Sequence, residues 1–350
     1  MMMTTPAEPA KRSPTVSAIV PARNEEGLLA ACLESLVGQE GVDFEVIVVD
    51  DESTDRTREI AQSFSGVNVI EARPLPPGWS GKSNAMFSGA QQARGTWLLF
   101  TDADTVHKPG SLARSLEEAK RFGVALLSYS PEQEVRGLWA QAVMTVIFGE
   151  LACAYRPKDV CDPSKSVAAA NGQYMLILRH RYLEVADRAE VRASLLEDVA
   201  VAKALKQSGE KIRFRLGADA VRTRMYRNFA ELRDGWTKNL ALLFPAPGRL
   251  AVERLFEFVA ILGGAAASVV LFGRGQIVSA ILAAAVAGGV YSSFFARVRK
   301  AHFHWGATLA ALFGLPLFSW LLLRSRRAHR RGEVVWKGRT YGAASGSFAD

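Results

Sequence analysis

The sequence has few cysteines and no pair of them at a metal-binding spacing. Its 350 residues contain three, Cys32, Cys153 and Cys161, and none forms a CxxC pair with another. An odd number of cysteines without that spacing supports neither a disulfide framework nor a thiolate zinc site. We therefore expect the globular part of the chain to lie in a reducing compartment.

Two glycine-rich nucleotide-binding patterns are also absent. The sequence contains neither GxGxxG nor GxxxxGK followed by Ser or Thr, which argues against a dinucleotide-binding fold and against a P-loop. The N-terminal residues contain no apolar run. We therefore expect residues 1–14 to be a disordered leader and not a signal peptide.

Net charge is absent from the first 296 residues, although the whole chain carries +8 at pH 7. Those residues contain 33 basic and 33 acidic side chains, whereas residues 297–350 contain ten Lys and Arg against Glu333 and Asp350. Positive charge confined to the flanks of apolar segments indicates a membrane surface and excludes an extended nucleic-acid groove.

Three long apolar stretches are present near the C-terminus, at residues 255–272, 276–296 and 305–323. As helices they measure about 27 to 31 Å, against about 30 Å for a hydrocarbon core. We predict membrane-associated helices over residues 241–323, with buried helices of a soluble domain as the alternative. Three crossings would separate the basic tail, residues 324–350, from a cytosolic first domain, against the positive-inside rule. We therefore expect a cytosolic tail and one incomplete crossing.

Short runs rich in Val, Ile and Leu alternate with helical patterns over the first 130 residues. Strands are predicted at 16–22, 45–49, 67–72, 97–101 and 124–129, with helices between them. This alternation is typical of an α/β fold with a mainly parallel central sheet. We place that domain at residues 15–240, and its ligands are expected beyond the carboxyl ends of the strands.

Acidic and amide side chains follow several of these strands. The first two strands end in PARNEE and DDESTD, at residues 21–26 and 50–55, groups that suit hydrogen bonds to a ribose and a base edge. The fourth ends in Asp102-Ala103-Asp104, oxygen ligands of the kind that Mg²⁺ or Mn²⁺ prefers together with phosphate oxygens. Helix capping at 53–55 and an ordinary turn at 102–104 are the structural alternatives.

Three further segments contain candidate groups. Lys82 lies in a Gly-rich loop before a predicted helix, where it meets a phosphate or lies in a surface loop. Asp198 opens a later helix and is either a favourable charge for the helix dipole or a general base. Residues 135–155 are apolar but include Glu150, so a core helix, a helix lying on a bilayer and part of an acceptor tunnel all stay open.

Seven motifs follow one another over residues 19–239: IVPARNEE, VIVVDDESTDRT, GKSNA, LLFTDAD, NGQ, LLEDVAVA and RDGWTKN. In this order and spacing the sequence resembles family 2 glycosyltransferases of the GT-A fold. PPGWSGKSNA, AANGQYMLILR, the terminal apolar segments and VVWKGRTY resemble the membrane-bound lipid branch, with its carotenoid, hopanoid-associated and ceramide glycosyltransferases. The resemblance implies a GT-A-type nucleotide-binding domain followed by a C-terminal membrane helix region.

The resemblance also implies roles for individual residues. Asp198 would be the catalytic base, and Asp104 with Asp102 would ligate Mg²⁺ or Mn²⁺, for a single displacement with inversion. The nucleotide-sugar donor, a UDP-hexose, would be bound by Pro21, Arg23, Glu25, Asp50, Asp51, Lys82 and Asp102. Acceptor binding would fall to Gly172, Gln173, Glu197 and Trp236.

One segment departs from the ceramide and polysaccharide branches. Their (Q/R)xxRW motif is replaced here by Leu232-Arg233-Asp234-Gly235-Trp236, which disfavours a processive polysaccharide synthase. We expect metal-dependent transfer of a hexose to a membrane lipid, a carotenoid or another isoprenoid, at the cell membrane with the catalytic domain facing the cytoplasm. The alternatives are transfer to another lipid or a polysaccharide precursor, a sugar-phosphate nucleotidyltransferase, and a non-catalytic membrane scaffold.

Overall fold

The computed structural model describes residues 13–342, and these fall into two compact units. The first contains residues 13–132 and 161–223, and the second contains residues 133–160 and 224–342. The division does not follow the boundary expected at residue 240, because residues 133–160 and 224–240 belong to the unit of the C-terminal helices. Most of the predicted leader and the end of the predicted tail lie outside the described residues.

Strands and helices alternate along the first unit, whereas the second is mainly helical. The strands are β1 (Val16–Ala22), β2 (Phe44–Asp50), β3 (Val67–Glu71), β4 (Trp97–Phe100), β5 (Thr105–His107), β6 (Leu126–Ser130), β7 (Glu132–Gln133), β8 (Met175–Leu178), β9 (Ile212–Leu216), β10 (Val221–Thr223), β11 (Val334–Trp336) and β12 (Arg339–Tyr341). The α-helices are α1 (Leu29–Val37), α2 (Thr57–Gln62), α3 (Gly81–Gln92), α4 (Ser111–Phe122), α5 (Leu138–Ala154), α6 (Pro157–Val160), α7 (Arg179–Ala186), α8 (Ala189–Arg192), α9 (Glu197–Gln207), α10 (Phe229–Leu243), α11 (Pro247–Gly273), α12 (Ile277–Val298), α13 (Trp305–Ala310) and α14 (Leu315–Arg331).

The central sheet of the first unit has the strand order β3-β2-β1-β4-β8-β6-β9. Strands β1 to β4 run parallel, and β8 is antiparallel to both of its neighbours. The register pairs Ala22 with Asp50 and Ile19 with Phe100, so the carboxyl ends of β1, β2 and β4 meet at one edge. The α/β fold with a mainly parallel sheet is thus confirmed.

Burial explains why the strands of this sheet read as continuous apolar runs. In β2, Val46 is 2% exposed and the next three residues are fully buried, as expected for a parallel strand with helices on both faces. Pro21, which has no N–H to donate, is tolerated in β1 because it lies beyond Ile19, the last residue of β1 paired with β4.

The second unit contains four helical segments that are long and apolar enough to cross a membrane. They are Leu138–Val160, Pro247–Gly273, Ile277–Ala301 and Trp305–Arg331. The last three correspond to the three stretches predicted from sequence, and the first overlaps residues 135–155, whose role was left open. The final segment is not one continuous α-helix, because a 3₁₀ turn at Ala311–Gly314 separates α13 from α14.

Four charged side chains are buried together between α5, α11 and α12. Glu150 lies 2.7 Å from Arg254 Nε and 2.6 Å from Arg297 Nε. Glu257 pairs with Arg297 and lies 3.5 Å from Arg254 Nη1. The four side chains are 6% to 17% exposed, and their charges cancel. Mutual neutralisation is what makes burial of ionised groups tolerable among apolar helices.

Arg297→Met is expected to lower the free energy of unfolding by about 3 to 5 kcal/mol, because it leaves two buried carboxylates with one guanidinium group between them. The measurement is thermal unfolding of the purified protein in a single detergent. Arg249→Met is the matched control, since Arg249 is 82% exposed and pairs with Glu253 on the helix surface; it should change stability by less than about 0.5 kcal/mol. Equal effects of the two substitutions would contradict the argument.

Candidate active site

Hydrogen bonds join the two predicted nucleoside-binding segments at the ends of β1 and β2. Asn24 N–H donates to Ser53 Oγ (3.1 Å), and Thr54 N–H donates to Asn24 Oδ1 (2.8 Å). Arg23 Nη1 donates to the Asp51 carbonyl (2.6 Å) and to Glu52 Oε2 (3.1 Å). The sequence motifs PARNEE and DDESTD therefore form one continuous polar surface.

Two residues of this surface have unusual backbone conformations. Asn24 has φ of 54° and Glu52 has φ of 58°, in the left-handed region that residues other than glycine rarely adopt. Such strain concentrates at ligand sites, where surrounding contacts maintain it. The carboxylates of Asp50 and Asp51 lie beside it, and both residues are only 6% exposed.

The capping alternative applies to Asp55. Its Oδ1 accepts from the backbone N–H of Thr57 (3.0 Å) at the start of α2, and its Oδ2 accepts from Glu26 N–H (3.2 Å). Asp55 therefore stabilises a helix start and the contact between the two segments. The neighbouring Asp50 also serves the backbone, since its Oδ1 accepts from Ser53 N–H (3.2 Å).

Lys82 is the centre of a cluster of charged groups from distant parts of the sequence. Its Nζ lies 2.7 Å from Asp102 Oδ1 after β4 and 2.7 Å from Glu197 Oε1 at the start of α9. Burial alone would lower the pKa of Lys82, but the nearby carboxylates of Asp102, Glu197 and Asp198 raise it well above the usual value. The amine therefore stays charged. Ser80 positions it by capping α3, since its Oγ accepts from Ser83 N–H (3.1 Å).

Gly172 allows this cluster to form. A Cβ at that position would lie 2.9 Å from Lys82 Nζ and 3.2 Å from Glu197 Oε1, distances shorter than a carbon makes to either atom without displacing it. Its backbone N–H donates to Asp198 Oδ2 (2.8 Å). The predicted acceptor-side residues Gly172 and Glu197 thus lie with the predicted base and with Lys82.

Asp198 is held by the backbone in a fixed orientation. Its second oxygen, Oδ1, accepts from Val199 N–H (2.8 Å), in the first turn of α9. Burial and the adjacent Glu197 raise the pKa of Asp198 from 3.8 to about 6, against the lowering effects of Lys82 and the two backbone amides. A carboxylate with a pKa in this range is ionised at neutral pH and basic enough to accept a proton.

Asp104 is the most electrostatically strained carboxylate of the site. Burial, then Asp102, then Glu25 raise its pKa from 3.8 to about 7, and Lys82 and Gln173 only partly offset this. The Gln173 amide lies 3.3 Å from Asp104 Oδ2 and donates to Thr223 Oγ1 (3.0 Å). Excess negative charge at a pair of oxygen ligands is the condition that a bound divalent cation relieves.

The residues present fit a divalent cation whose remaining ligands come from a substrate and from water. Among residues 13–342, no group of three or more His, Cys, Asp or Glu side chains is arranged to hold a metal ion. Asp102 and Asp104 therefore provide at most a partial oxygen site. Mg²⁺ and Mn²⁺ commonly complete such a site with water and phosphate oxygens. The predicted metal role of these residues stays a prediction.

The sequence analysis did not single out Thr223, which contacts Asp104, or His107, which follows Asp104 by three residues. Thr223 Oγ1 donates to the Asp104 carbonyl (3.1 Å), and β10 places it there by pairing Thr223 with Thr105. His107 is buried, and burial lowers its pKa to about 3, so the ring is neutral; its Nε2 lies 3.1 Å from Thr101 Oγ1. No sequence motif marks Thr223, because only the pairing of β5 with β10 brings it to Asp104.

Trp236 belongs to the second unit, whereas the charged cluster around Lys82 belongs to the first. It is 2% exposed, and its indole N–H donates to Met144 Sδ (3.2 Å). The same unit has a pocket of about 550 Å³, its open mouth included, with both apolar and charged side chains in its wall. Trp139, Met225 and Phe229 line it.

The sequence matches a known protein family over much of the first unit. Residues 17–177 match the family model described as Glycosyl transferase family 2. A 4,4'-diaponeurosporenoate glycosyltransferase of Staphylococcus aureus (strain USA300) is 26% identical over 336 residues, which cover 92% of this chain and 87% of the relative. A protein of the same name from Staphylococcus haemolyticus (strain JCSC1435) is 28% identical over 240 residues, covering 65% of this chain and 61% of the relative.

A solved structure has a similar fold over most of the chain. The mannosyltransferase PcManGT from Pyrobaculum calidifontis, solved in complex with GDP-Man and Mn²⁺, has a TM-score of 0.52 and 17% identity. The match covers 91% of this chain and 87% of that chain. At this identity the similarity is one of fold, and it agrees with the GT-A-type architecture expected from the motifs.

Proposed function

We propose that the protein, whose residues 17–177 match the family 2 glycosyltransferase model, transfers a hexose, with inversion, from a nucleotide sugar to a membrane lipid. The observation that supports this most directly is the convergence of Asp102, Lys82, Glu197 and Asp198 around Gly172. Through these contacts, Asp102 of the proposed metal site and Asp198, the proposed base, belong to one cluster within the first unit.

The donor is proposed to lie along the carboxyl ends of β1, β2 and β4. Arg23, Glu25, Asp50 and Asp51 would contact the nucleoside, and the diphosphate would reach Asp102 and Asp104 through Mg²⁺ or Mn²⁺. When bound, such a cation supplies Lewis-acid stabilisation of the departing diphosphate, an effect of several kcal/mol. The excess negative charge around Asp104 supports this assignment.

Asp198 is proposed to act as general base. It would take the proton of the acceptor hydroxyl while the acceptor oxygen bonds to the anomeric carbon and the bond from that carbon to the diphosphate breaks. The N–H groups of Gly172 and Val199 hold the carboxylate, so little ordering is needed when the acceptor arrives. Glu197 is occupied by Lys82, which leaves Asp198 as the basic group.

The acceptor is proposed to be a carotenoid or a similar isoprenoid lipid. The staphylococcal relatives are named for transfer to 4,4'-diaponeurosporenoate, and the second unit contains four apolar helices. The pocket near Trp139, Met225 and Phe229 offers aromatic and thioether surface suited to an apolar chain. We propose that the protein is associated with the cell membrane and that its catalytic domain faces the cytoplasm.

The test is incorporation of labelled sugar into lipid. Membranes containing the protein are incubated with a lipid extract, Mn²⁺ and either UDP-[¹⁴C]glucose or GDP-[¹⁴C]mannose. We expect label in the organic phase with one donor, and mass spectrometry of that product identifies the acceptor. Label that stays in the aqueous phase with every nucleotide sugar tried would contradict the proposal.

Transfer to a hydroxyl acceptor is expected to decline on the acid side of pH 6. Because the pKa of Asp198 is raised to about 6, the group holds a proton below that pH and cannot accept another. The value of kcat/KM should then fall about tenfold per pH unit, and it should level off above the pKa. A profile measured over this range tests the assignment, and a flat profile down to about pH 5 would contradict it.

Unfolding does not produce the same decline through this residue. A raised pKa means that folded Asp198 binds its proton more tightly than the unfolded chain does, so this group stabilises the fold as the pH falls from 6 toward 4. Circular dichroism recorded at each pH separates loss of activity from loss of structure.

A further inference from the structure

Helices α11 and α12 form an apolar hairpin with charged residues only at its two ends. Arg274 is the only charged residue between Glu257 and Arg297. We refer to residues 258–296 as the hairpin, to the four buried charges Glu150, Arg254, Glu257 and Arg297 as its base, and to the exposed turn at Arg274 as its tip.

The hairpin differs from the other apolar helices in how little of it is buried. In their most apolar stretches, only 6% of α11 and 17% of the α12 segment are buried, against 44% for the α5 segment and 56% for the α13–α14 segment. Large side chains of both arms are exposed, with Val269 at 73%, Phe272 at 68% and Val278 at 73%. A continuous apolar surface of this kind requires an apolar surrounding.

The arms pack against each other as membrane helices do. Ser268 Oγ donates to the Ala280 carbonyl (2.8 Å), and a Cβ on Gly264 would lie 3.0 Å from Ala287 Cβ. Small residues at such a seam let two backbones approach closely. The arms measure about 24 Å and about 30 Å from base to tip, close to the roughly 30 Å of a hydrocarbon core.

The third apolar stretch does not extend along the hairpin. After α12 the chain passes Gly149 of α5, whose Cβ would lie 3.0 Å from Val298 Cα, and at Gly314 it contacts Ala142 of the same helix. These two points of α5 are seven residues apart, or about 10 Å. Because Gly314 is the midpoint of the 305–323 stretch, the direction of the second half, α14, decides whether this stretch crosses a bilayer.

The basic end of α14 lies on the side of the base that faces away from the tip. Arg326 Nη1 is 2.9 Å from the position of a Cβ on Gly248, which precedes Glu257 by nine residues of α11, or about 13 Å. Ser325 Oγ donates to the Thr237 carbonyl (2.7 Å) of α10. Helix α14 therefore runs away from the tip and not along the hairpin.

We propose that the hairpin is the only part of residues 13–342 that crosses the lipid bilayer, so that everything before residue 258 and after residue 296 lies on one side. The segments at 138–160 and 305–331 then lie at the membrane interface and do not span it. The arginines of α14 assign that side to the cytoplasm by the positive-inside rule. This proposal rests on the membrane association proposed above.

Labelling of single cysteines with a membrane-impermeant maleimide tests this topology. The background is Cys153→Ser with Cys161→Ser, since Cys32 is buried. Three exposed positions are then substituted singly: Arg274→Cys at the tip, Lys300→Cys between α12 and α13, and Glu333→Cys after α14. Each variant is labelled in intact cells and in inverted membrane vesicles, and glycosyl transfer is measured in parallel.

We expect Arg274→Cys to be labelled in intact cells only, and Lys300→Cys and Glu333→Cys in inverted vesicles only. Opposite sides for Lys300→Cys and Glu333→Cys would show that the 305–331 segment crosses, and would overturn the proposal. Labelling of Arg274→Cys on the same side as the other two would overturn it as well. The labelling pattern is obtained whether or not a variant transfers sugar. A failure of the proposed topology is therefore distinguishable from a failure of the proposed function.

Discussion

Asp198→Asn is expected to lower kcat for transfer to a hydroxyl acceptor by about 10²- to 10⁴-fold, the usual contribution of a positioned general base. Asparagine keeps one of the two oxygens that accept from backbone N–H groups, but it cannot take a proton. The affinity for the nucleoside diphosphate should change little, because no contact assigned to the donor involves Asp198. Initial rates and calorimetric binding of the diphosphate, measured on the same preparation, provide the comparison.

Asp187→Asn is the matched control for this prediction. Asp187 carries a side chain that is 70% exposed and paired with Arg192, and its substitution should leave both rate and binding unchanged. A rate for Asp198→Asn within tenfold of the unmodified protein would exclude the base role for a hydroxyl acceptor. A non-catalytic scaffold predicts in addition that the lipids of cells carrying Asp198→Asn stay unchanged.

The size of the effect also reports the chemistry of the acceptor. A hydroxyl arrives with its proton and needs a base, whereas a carboxylate is already ionised near neutral pH. The same pair of proteins assayed with a lipid alcohol and with a lipid carboxylate should therefore show a large loss with the alcohol and a small one with the carboxylate. This comparison separates a base from a residue that only shapes the site, since loss of shape would affect both acceptors.

Asp104→Asn is expected to reduce cation-dependent transfer by about two orders of magnitude or more, because a cation's stabilisation of the departing diphosphate amounts to several kcal/mol. Mn²⁺ should also lose most of its effect on the affinity for nucleoside diphosphate. The measurement is calorimetric titration of the diphosphate with and without Mn²⁺, together with kcat over a range of Mn²⁺ concentrations.

Stability provides the second readout for Asp104. The carboxylate is strained by burial and by Asp102 and Glu25, so its neutralisation should leave the protein without cation at least as stable as before. Asp43→Asn, at an exposed position before β2, is the control and should alter neither binding nor rate. An Mn²⁺ response of Asp104→Asn equal to that of the control would contradict the metal assignment.

The strand and helix pattern of the first unit was predictable because each element carries its own signal. The Val-rich runs of β1 and β2 are continuous because both faces are buried, and the acidic motifs follow at the strand ends, where parallel strands place ligands. Family resemblance added the roles of Asp104 and Asp198, which strand position alone left open. The nearness of Lys82 to both Asp102 and Glu197 has no signature in their spacing, which is 20 and 115 residues.

Sequence by itself determined the sheet, the acidic motifs, the lack of charge in the hairpin and the concentration of positive charge after it. Only the tertiary structure decided that Thr223 supports Asp104, that Gly172 opens space for Lys82, and that the third apolar stretch turns back along α5. The reason is physical: periodicity and composition depend on neighbours in sequence, whereas these contacts depend on strand pairing and helix packing between residues far apart in the chain. Length and hydropathy alone cannot distinguish a helix that crosses a bilayer from an apolar helix that packs against other helices of the protein.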